Sequence, residues 1–487
     1  MYRKNLILFF INIAFSTTIN YNLNLIHQIE IDNASNNYGV SDVWGYTDEI
    51  GNEYSIVGHQ YGTYIYKITN SDYELVMNII GPSTGDYYYH RDYKTFNNHL
   101  YIVNEMYGGD IGMQVIDLSP LPGNIPIQLE TYNNMAQSHN LWIDTDSELA
   151  FIEHQNGDNI HIVDLSIPNT PTYAGSFGNQ ALNCHDIYTK NNIAYISEGW
   201  SYQFGIYDIN NLNDIIQLAT IPSTGYAHNA WLSDDGSHLI TTEETENETI
   251  KIWDITNLND IILKGEYLGE NNLAHNVHVL NNLLYISHYT TGLKIVDIFN
   301  PERPIEIAAY DTYPLNNDGG YYGCWGAYPY TQNSHIYASD MQNGLYVFNF
   351  DDISAGFING HLYYEDINSP AINSSIKSLL NEKMYYTDEN GYYNFGHAEG
   401  THEFIINNTD TLELIIFPHL ETFQDYFINN NVLLGDVNLD SYIDILDIVL
   451  TVNIVFNNNY TIYADLNQDG LVNIQDIVLI VNLILNN

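Results

Sequence analysis

The segment Leu293-Lys294-Ile295-Val296-Asp297 decides the fold, because an apolar strand of this type recurs along the chain. Other copies end at Asp117, Asp164, Asp208 and Asp254, and weaker copies end at Lys67 and Asn349. Successive copies are 43 to 52 residues apart. A period of this length, made only of short strands and turns, is typical of the four-stranded blade of a β-propeller.

A second recurring pair of residues marks the start of each repeat. The seven pairs are Ser41-Asp42, Arg91-Asp92, His139-Asn140, His185-Asp186, His228-Asn229, His275-Asn276 and Trp325-Gly326. They predict a seven-bladed β-propeller over residues 22–350, in a chain that is mainly β. The last blade lacks a fourth strand of its own, so we predict that residues 25–31 pair beside residues 345–350 and close the ring.

Titratable residues recur at one mouth of this predicted ring. The first strand of a blade lines the channel and the second returns antiparallel, so the start of one lies beside the end of the other. The predicted polar crown contains His139, His185, His228, His275, Glu105, Glu153, Glu198, His288 and Asp340, with His59 as the counterpart in the first blade. Three interpretations stay open: hydrogen bonds between strands, a transition-metal or catalytic site, and an organic-ligand site. Catalytic residues cannot be named, because no nucleophile or phosphate-binding motif is present.

Three local motifs carry a resemblance to a known family. They are the Leu-Lys-Ile-Val-Asp strands, the start Ser41-Asp-Val-Trp-Gly45 and the turn Asp311-Thr-Tyr-Pro314. Together they resemble the LVIVD-repeat propellers called choice-of-anchor B, over about residues 22–350. The resemblance implies a secreted or surface propeller of unassigned biochemistry, followed by an interchangeable C-terminal anchoring module.

Charge and targeting signals bound the function. The chain of 487 residues has 60 Asp plus Glu against 12 Lys plus Arg, a net charge of −48, which excludes nucleic acid and anionic membrane surfaces as partners. Residues 1–18 have the basic start, short apolar run and small-residue exit of a secretory signal peptide, and no segment predicts a transmembrane span. We therefore expect a secreted or cell-surface-associated protein. Cys184 and Cys324 are too few for a disulfide framework.

A different pattern follows the propeller repeats. Strand-like segments occur at residues 356–363, 387–395 and 400–406, and the motif Thr387-Asp-Glu-Asn-Gly-Tyr begins the second of them. Residues 354–428 resemble the carboxypeptidase-regulatory-like β-sandwich. The resemblance implies a small, non-catalytic spacer.

Two acidic loops near the C-terminus repeat each other 29 residues apart. Their oxygen ligands at loop positions 1, 3, 5, 9 and 12 are Asp436, Asn438, Asp440, Asp444 and Asp447, then Asp465, Asn467, Asp469, Asn473 and Asp476. Backbone carbonyls of Tyr442 and Leu471 are available in addition. Because Ca²⁺ takes six to eight oxygen ligands, the pattern predicts two calcium ions, each beside an apolar helix at residues 448–456 or 477–485.

A duplicated loop and helix of this kind resembles a type I dockerin, over residues 433–487. That family folds around two Ca²⁺ ions and docks on cohesin modules, which implies a cohesin-like or surface-anchoring partner. The pairs before position 12 are Ile445-Leu446 and Ile474-Gln475 rather than the hydroxyl pair often present in the family.

These features predict a secreted propeller that binds a glycan or protein ligand and that the calcium module tethers to an extracellular assembly. A link to polysaccharide rests on the dockerin resemblance alone. The alternative hypothesis is a metal-dependent enzyme, a hydrolase or an oxidase, that uses the histidine and glutamate crown. Metal analysis discriminates the two hypotheses, because only the enzyme requires a stoichiometric transition metal.

Overall fold

A computed structural model describes most of the chain. The described residues are 20–31, 39–82, 90–106, 111–153, 160–178, 182–269, 273–314, 319–365, 369–408, 410–428, 433–438, 442–457, 459–467 and 469–486. They divide into two compact units, the first running to Phe357 with 396–400 and 415–420, and the second comprising 358–395, 401–414 and 421–487. The predicted signal peptide lies outside the described residues. None of the described helices is long and apolar enough to cross a membrane.

The strands of the first unit form seven four-stranded sheets within the described residues. Sheets 1 to 6 each contain four consecutive strands, whereas sheet 7 combines β26–β28 with β1. The strands are β1 (Asn24–Ile29); β2 (Val40–Thr47), β3 (Glu53–His59), β4 (Gly62–Ile68) and β5 (Tyr73–Ile80); β6 (Arg91–Phe96), β7 (His99–Asn104), β8 (Gln114–Asp117) and β9 (Ile127–Gln128); β10 (Leu141–Asp144), β11 (Leu149–Glu153), β12 (Ile160–Asp164) and β13 (Thr172–Phe177); β14 (Asp186–Lys190), β15 (Ile193–Ser197), β16 (Gln203–Asp208) and β17 (Ile216–Pro222); β18 (Ala227–Leu232), β19 (His238–Glu243), β20 (Ile250–Asp254) and β21 (Ile262–Tyr267); β22 (Val277–Leu280), β23 (Leu283–Ser287), β24 (Leu293–Asp297) and β25 (Ile305–Tyr310); β26 (Cys324–Tyr328), β27 (His335–Asp340) and β28 (Gly344–Asn349).

Sheet 7 takes its outer strand from the beginning of the chain. β1 pairs antiparallel with β28, so that Ile29 lies opposite Leu345 and Asn24 opposite Asn349. The predicted pairing of residues 25–31 beside the last repeat is confirmed. This pairing covers the edge of β28 that would otherwise be exposed.

The Asp that ends the third strand of sheets 2 to 6 has a local role. The Asp297 carboxylate accepts the backbone N–H of Phe299 at 2.7 Å, and Asp164 accepts that of Ser166 at 2.8 Å. Such a bond forms a turn that ends the strand and directs the chain into the fourth strand. The apolar residues before the Asp are buried on both faces of the strand, as in β24, because each sheet packs against the sheets on either side.

The seven first strands are neighbours in a cyclic order. Each first strand from β2 to β22 lies beside the first strand of the next sheet, and β26 lies beside β2. Apolar clusters fill the space between neighbouring sheets, as Val40, Val57, Leu345 and Val347 do between sheets 1 and 7. The architecture is a β-rich, propeller-like repeat fold in which the first strands surround a common axis.

The strands after residue 354 form two further sheets, and two helices follow them. The strands are β29 (Ala355–Tyr364), β30 (Ser369–Pro370), β31 (Ser375–Ser378), β32 (Met384–Tyr386), β33 (Tyr392–Ala398), β34 (Gly400–Ile406), β35 (Asp410–Ile416), β36 (Glu421–Phe423) and β37 (Tyr426–Ile428). One sheet has β29 at its centre, with β30, β33, β36 and β37 as partners, and the other has the order β32-β31-β34-β35. Phe395 of the first sheet packs against Phe404 of the second at 5.5 Å between ring centroids.

The helices are α1 (Ile445–Asn457) and α2 (Ile474–Asn486), with a short 3₁₀ helix at Ile462–Ala464 between them. Both α-helices begin three residues earlier than the sequence predicts. The Asp444 side chain accepts the N–H of Leu446 at 2.7 Å, and Asn473 accepts that of Gln475 at 2.8 Å. These side chains cap the helices, so the last residue of each acidic loop lies in the first helical turn.

Candidate functional site

Side chains of the first strands project toward the common axis in three successive layers. The first layer lies at the start of the strands, the second one residue further on, and the third two residues beyond the second. Each residue of a strand advances the chain by about 3.3 Å, so the first and third layers lie at opposite mouths of the channel. The predicted crown corresponds to the first layer.

Six aromatic side chains form a closed ring in the first layer. We call them the aromatic ring: His90, His139, His185, His228, His275 and Trp325. The distances between successive ring centroids, in this order and back to His90, are 5.4, 4.8, 4.3, 4.5, 4.2 and 4.6 Å. The structure therefore brings together all four histidines predicted from the repeat.

His90 was not predicted, because Arg91 holds the repeat position that the histidines occupy in sheets 3 to 6. In sheet 5 a bulge between Ala227 and Asn229 lets consecutive residues share the channel face. β6 has no such irregularity, so strict alternation turns Arg91 into the sheet, where it donates to the carbonyl of His59 at 2.7 Å. The residue before it, His90, joins the ring instead.

Carboxylates from the second strands contact the aromatic ring at three places. Glu105 lies 2.8 Å from Nδ1 of His90 and 3.2 Å from Nδ1 of His139. Glu153 accepts the backbone N–H of His139 at 3.0 Å. Glu244, rather than the adjacent Glu243, faces His228 at 3.6 Å. Two clusters result, and in each of them the candidate ligand atoms lie within 4.8 Å of one another: His90 with Glu105 and His139, and His228 with Glu244 and His275.

The ring histidines differ in charge. Burial lowers the pKa of His228 to about 3 and holds the pKa values of His185 and His275 well below the usual range. Burial also disfavours a charge on His139, but the attraction and hydrogen bond of Glu105 outweigh it and raise the pKa of His139 to about 9. At neutral pH the ring therefore carries its positive charge on His139.

The other predicted crown residues lie outside the aromatic ring. Each of them is engaged within its own sheet or turn: Glu198 with the hydroxyl of Tyr207 (2.7 Å), His288 with the hydroxyl of Thr291 (2.9 Å), Asp340 with the backbone N–H of Gln342 (2.9 Å) and His59 with the side chain of Asn78 (3.2 Å). Side chains at the end of a second strand alternate in direction, so position in the repeat alone does not select the residues that face the ring.

The second layer consists of Asp and Asn side chains that link neighbouring sheets. Asp92 accepts the N–H of Leu141 at 2.7 Å, and Asn229 accepts the N–H of Val277 at 3.1 Å. Asn229 also donates to Asp186 at 2.7 Å. Asp92, Asp186 and Asn229 thus have the structural role that one of the three interpretations assigns to the second residue of a starting pair.

The third layer lines a cavity at the opposite mouth, which the sequence analysis did not predict. We call this cavity the vestibule. Its volume is about 430 Å³, and its aromatic walls are Trp44, Trp142, Tyr188, Trp231, Tyr328 and Tyr330. Five of these residues follow the Asp, Asn or Gly of a starting pair by two positions, and that spacing is the signal that could have revealed the site.

The vestibule has charged side chains of both signs at its polar edge. Lys94 and Lys190 line it together with Asp144 and Asp146. Lys94 is paired with Asp92 at 2.7 Å and lies 4.4 Å from the ring centroid of Trp44. A chain with 12 cationic residues and a net charge of −48 therefore places two lysines at one cavity. This lining favours a neutral ligand with several polar groups.

The acidic loops have a donor set that fits calcium. The carboxylates of Asp436, Asp447, Asp465 and Asp476 are at most 5% exposed, and the sequence has no Lys or Arg after Lys383 to compensate them. Buried carboxylates of this kind are costly without a cation. Asp440 lies outside the described residues.

The loop closes around its last carboxylate in both repeats. Asp447 accepts the N–H groups of Val437 and Asp444 at 2.7 and 2.8 Å. Asp476 accepts the N–H of Asn473 at 3.0 Å. Oδ2 of Asp447 accepts one such bond and keeps a further lone pair for an ion.

The comparisons with known proteins concern the repeat part of the chain. A family model described as "LVIVD repeat" matches residues 273–312, which contain the strands of sheet 6. A functionally unknown protein from Desulfotomaculum acetoxidans DSM 771 is similar in structure, with 16% sequence identity, coverage of 60% of this chain and 92% of that chain, and a TM-score of 0.45. No curated protein matches the chain. The chain thus carries an LVIVD repeat within a β-rich, propeller-like fold.

Proposed function

We propose that the chain is a binding protein built on a seven-bladed β-propeller of the choice-of-anchor B type, and that its vestibule binds a neutral glycan. The size and the lining of the vestibule are the observations that support this proposal. Its volume of about 430 Å³ lies in the range of about 300–1,000 Å³ that is usual for ligand pockets. Its walls combine aromatic rings with a small number of polar groups, as ligand sites do.

The chemistry of the lining favours a sugar over a charged ligand. The rings of Trp142 and Trp231 are nearly perpendicular, at 87°, so they present faces in two directions to which the apolar face of a sugar ring can stack. Lys190 supplies a hydrogen-bond donor, and Asp144 and Asp146 supply acceptors, for hydroxyl groups. Asp92 already pairs with Lys94, and Asp144 and Asp146 accompany Lys190, so the lining does not favour an anion.

The C-terminal helices support a tethering role for the second unit. Ile445 and Ile474 occupy equivalent positions and are 70% and 72% exposed, and Val449 and Val478 are both 54% exposed. Exposed apolar surface of this kind is typical of a protein-binding site. Its near-exact repetition offers two similar faces to a cohesin-like or other surface-anchoring protein. We propose that two Ca²⁺ ions hold these dockerin-type loops, that residues 354–428 act as a carboxypeptidase-regulatory-like spacer, and that the protein is secreted.

A metal-dependent hydrolase or oxidase is the second candidate, and the two clusters of histidine and glutamate favour it. The size of the cavity at the aromatic ring weighs against it. This cavity is about 10 Å³, enough for about one water molecule or ion but not for an organic substrate. The vestibule, at the other mouth, is the larger of the two spaces. The binding protein is therefore our conclusion.

Binding of neutral oligosaccharides to the full-length protein, measured by calorimetry in the presence of Ca²⁺, tests the proposal. We expect Trp142→Ala to weaken binding at least about 5-fold, since stacking on an aromatic ring contributes about 1–3 kcal/mol in the recognition of nucleobases. Trp200→Ala is the matched control, because Trp200 is 66% exposed and lies outside the vestibule. The proposal fails if no neutral oligosaccharide binds, or if only the control variant loses affinity.

A further inference from the structure

The two clusters of histidine and glutamate at the aromatic ring look alike in composition but differ in geometry. Both contain two imidazoles and one carboxylate. In the first cluster, Glu105 makes contacts of hydrogen-bond length with Nδ1 of His90 and Nδ1 of His139, at 2.8 and 3.2 Å. A proton therefore lies between the carboxylate and each imidazole. The Nδ1 atoms of both imidazoles are therefore already engaged by the carboxylate.

In the second cluster, the corresponding distance is too long for a hydrogen bond. Nε2 of His228 lies 3.6 Å from Oε2 of Glu244. Two ligands on a tetrahedral ion with bonds of about 2.0–2.1 Å are about 3.4 Å apart. This separation of 3.6 Å is thus close to that of two ligands on one ion, as is the 3.2 Å from Glu105 to His139, whereas the 2.8 Å from Glu105 to His90 is too short.

The imidazole of His228 is buried and directs Nε2 toward Glu244. His228 is 3% exposed, and Nε2 is the nitrogen that faces Oε2 of Glu244. An ion bound at Nε2 would use the lone pair of this nitrogen and leave the hydrogen on Nδ1.

The remaining two ligands are oriented by neighbouring groups. Nδ1 of His275 is bonded to the carbonyl oxygen of Trp325, which can only accept, so Nδ1 carries the hydrogen and Nε2 carries the lone pair. The hydroxyl of Tyr289 donates to Oε1 of Glu244 and leaves Oε2 toward His228. Hydrogen bonds of both kinds are common behind metal ligands, where they set the direction of the donor atom.

We propose that His228, Glu244 and His275 form a binding site for one divalent transition-metal ion such as Zn²⁺, and that the Glu105 cluster does not. Two imidazoles and a carboxylate suit such ions, and the fourth position is open for water. The cavity of about 10 Å³ inside the ring, which His228 and His275 line together with His90 and His139, has room for one ion. This site goes beyond the proposed glycan binding, because it lies at the opposite mouth of the channel and requires no catalysis.

Titration of the full-length protein with Co²⁺, monitored by visible absorption, tests the site. The protein is first dialysed against a chelator and then returned to saturating Ca²⁺, so that the C-terminal loops do not take up Co²⁺ during the titration. We expect one equivalent of bound Co²⁺ with the spectrum of a tetrahedral nitrogen and oxygen site, and Zn²⁺ should displace it. Failure to bind an equivalent of either metal would overturn the proposal.

The two clusters provide a matched pair of variants. Glu244→Gln keeps the shape of the side chain and should weaken Co²⁺ binding at least about 100-fold, whereas Glu105→Gln should leave the affinity within about 3-fold. If Glu244→Gln does not fold, Glu244→Asp keeps the charge, withdraws the oxygen by one methylene and should weaken binding at least 10-fold. Equal losses in the Gln variants, or a loss only in Glu105→Gln, would refute the assignment. Glycan binding at the vestibule is measured separately, so the two proposals can fail independently.

Discussion

Replacement of Ile29 by Ala tests whether β1 completes sheet 7. Ile29 is 3% exposed, lies opposite Leu345 and packs in the apolar cluster between sheets 7 and 1. The substitution removes three buried carbon atoms, at about 0.8 kcal/mol each, which amounts to about 2.4 kcal/mol. A residual cavity of about 50 Å³ would add about 1.2 kcal/mol at about 24 cal/mol per Å³. We therefore expect a loss of about 3–4 kcal/mol in the free energy of unfolding.

Ile50→Ala is the matched control, because the same three carbons are removed from a side chain that is 74% exposed. It should change the free energy of unfolding by less than about 0.5 kcal/mol. Urea unfolding followed by tryptophan fluorescence, at constant Ca²⁺, measures both variants. Similar midpoints for Ile29→Ala, Ile50→Ala and the wild type would refute the closure by β1. Deletion of residues 22–33 is the larger perturbation and should lower the melting temperature sharply for the same reason.

Two more predictions concern buried carboxylates. The carboxylate of Glu53, in sheet 1, contacts Nδ1 of His335, in sheet 7, at 2.6 Å. Burial alone would raise the pKa of Glu53, but the bond to His335 and the bonds from two backbone N–H groups outweigh burial and lower this pKa below its ordinary value. The resulting stabilisation is present above the unfolded-state pKa of Glu53 and is lost as pH falls through the lower folded-state pKa. Glu53→Gln should therefore reduce the free energy of unfolding by about 1–3 kcal/mol at pH 7 and flatten its pH dependence below about pH 4.5. Urea unfolding at pH 4 and pH 7 measures both effects, and parallel pH profiles for the variant and the wild type would contradict the prediction. Asp447→Asn should reduce the number of bound Ca²⁺ ions from two to one in equilibrium dialysis. The control variant Asp425→Asn changes a carboxylate outside the acidic loops and should leave two ions bound. Equal numbers of bound ions in the two variants would exclude Asp447 as a ligand.

Several features of the fold could be predicted because they are periodic along the chain. The strand that ends in Asp297 recurs with its apolar residues and its turn-forming carboxylate, and each copy specifies the same local structure. The outer strand β1 was predicted from a missing partner, since an uncovered edge of β28 is unfavourable. The helix starts were less accurate, because the capping side chains Asp444 and Asn473 also belong to the predicted calcium loops.

The site was predicted only in part. The four histidines at the starts of sheets 3 to 6 share one position in the repeat, so their convergence follows from the repeat itself. The choice of His90 over Arg91 depends on the absence of a bulge in β6, and a bulge depends on the pairing with a neighbouring strand. The choice of Glu244 over Glu243 depends on alternation at the end of β19, where Glu243 turns to Lys251 at 2.6 Å.

The sequence by itself determined the repeat, the number of repeat sheets, the closing strand and the positions of the two acidic loops. Each of these depends on residue types at fixed separations along the chain. Only the tertiary structure decided which side chains enter the channel, which carboxylates contact the aromatic ring, and that Trp44, Trp142 and Trp231 share one vestibule. The physical reason is that these arrangements depend on the convergence of seven strands from distant parts of the chain, where the pairing of each strand sets the direction of its side chains.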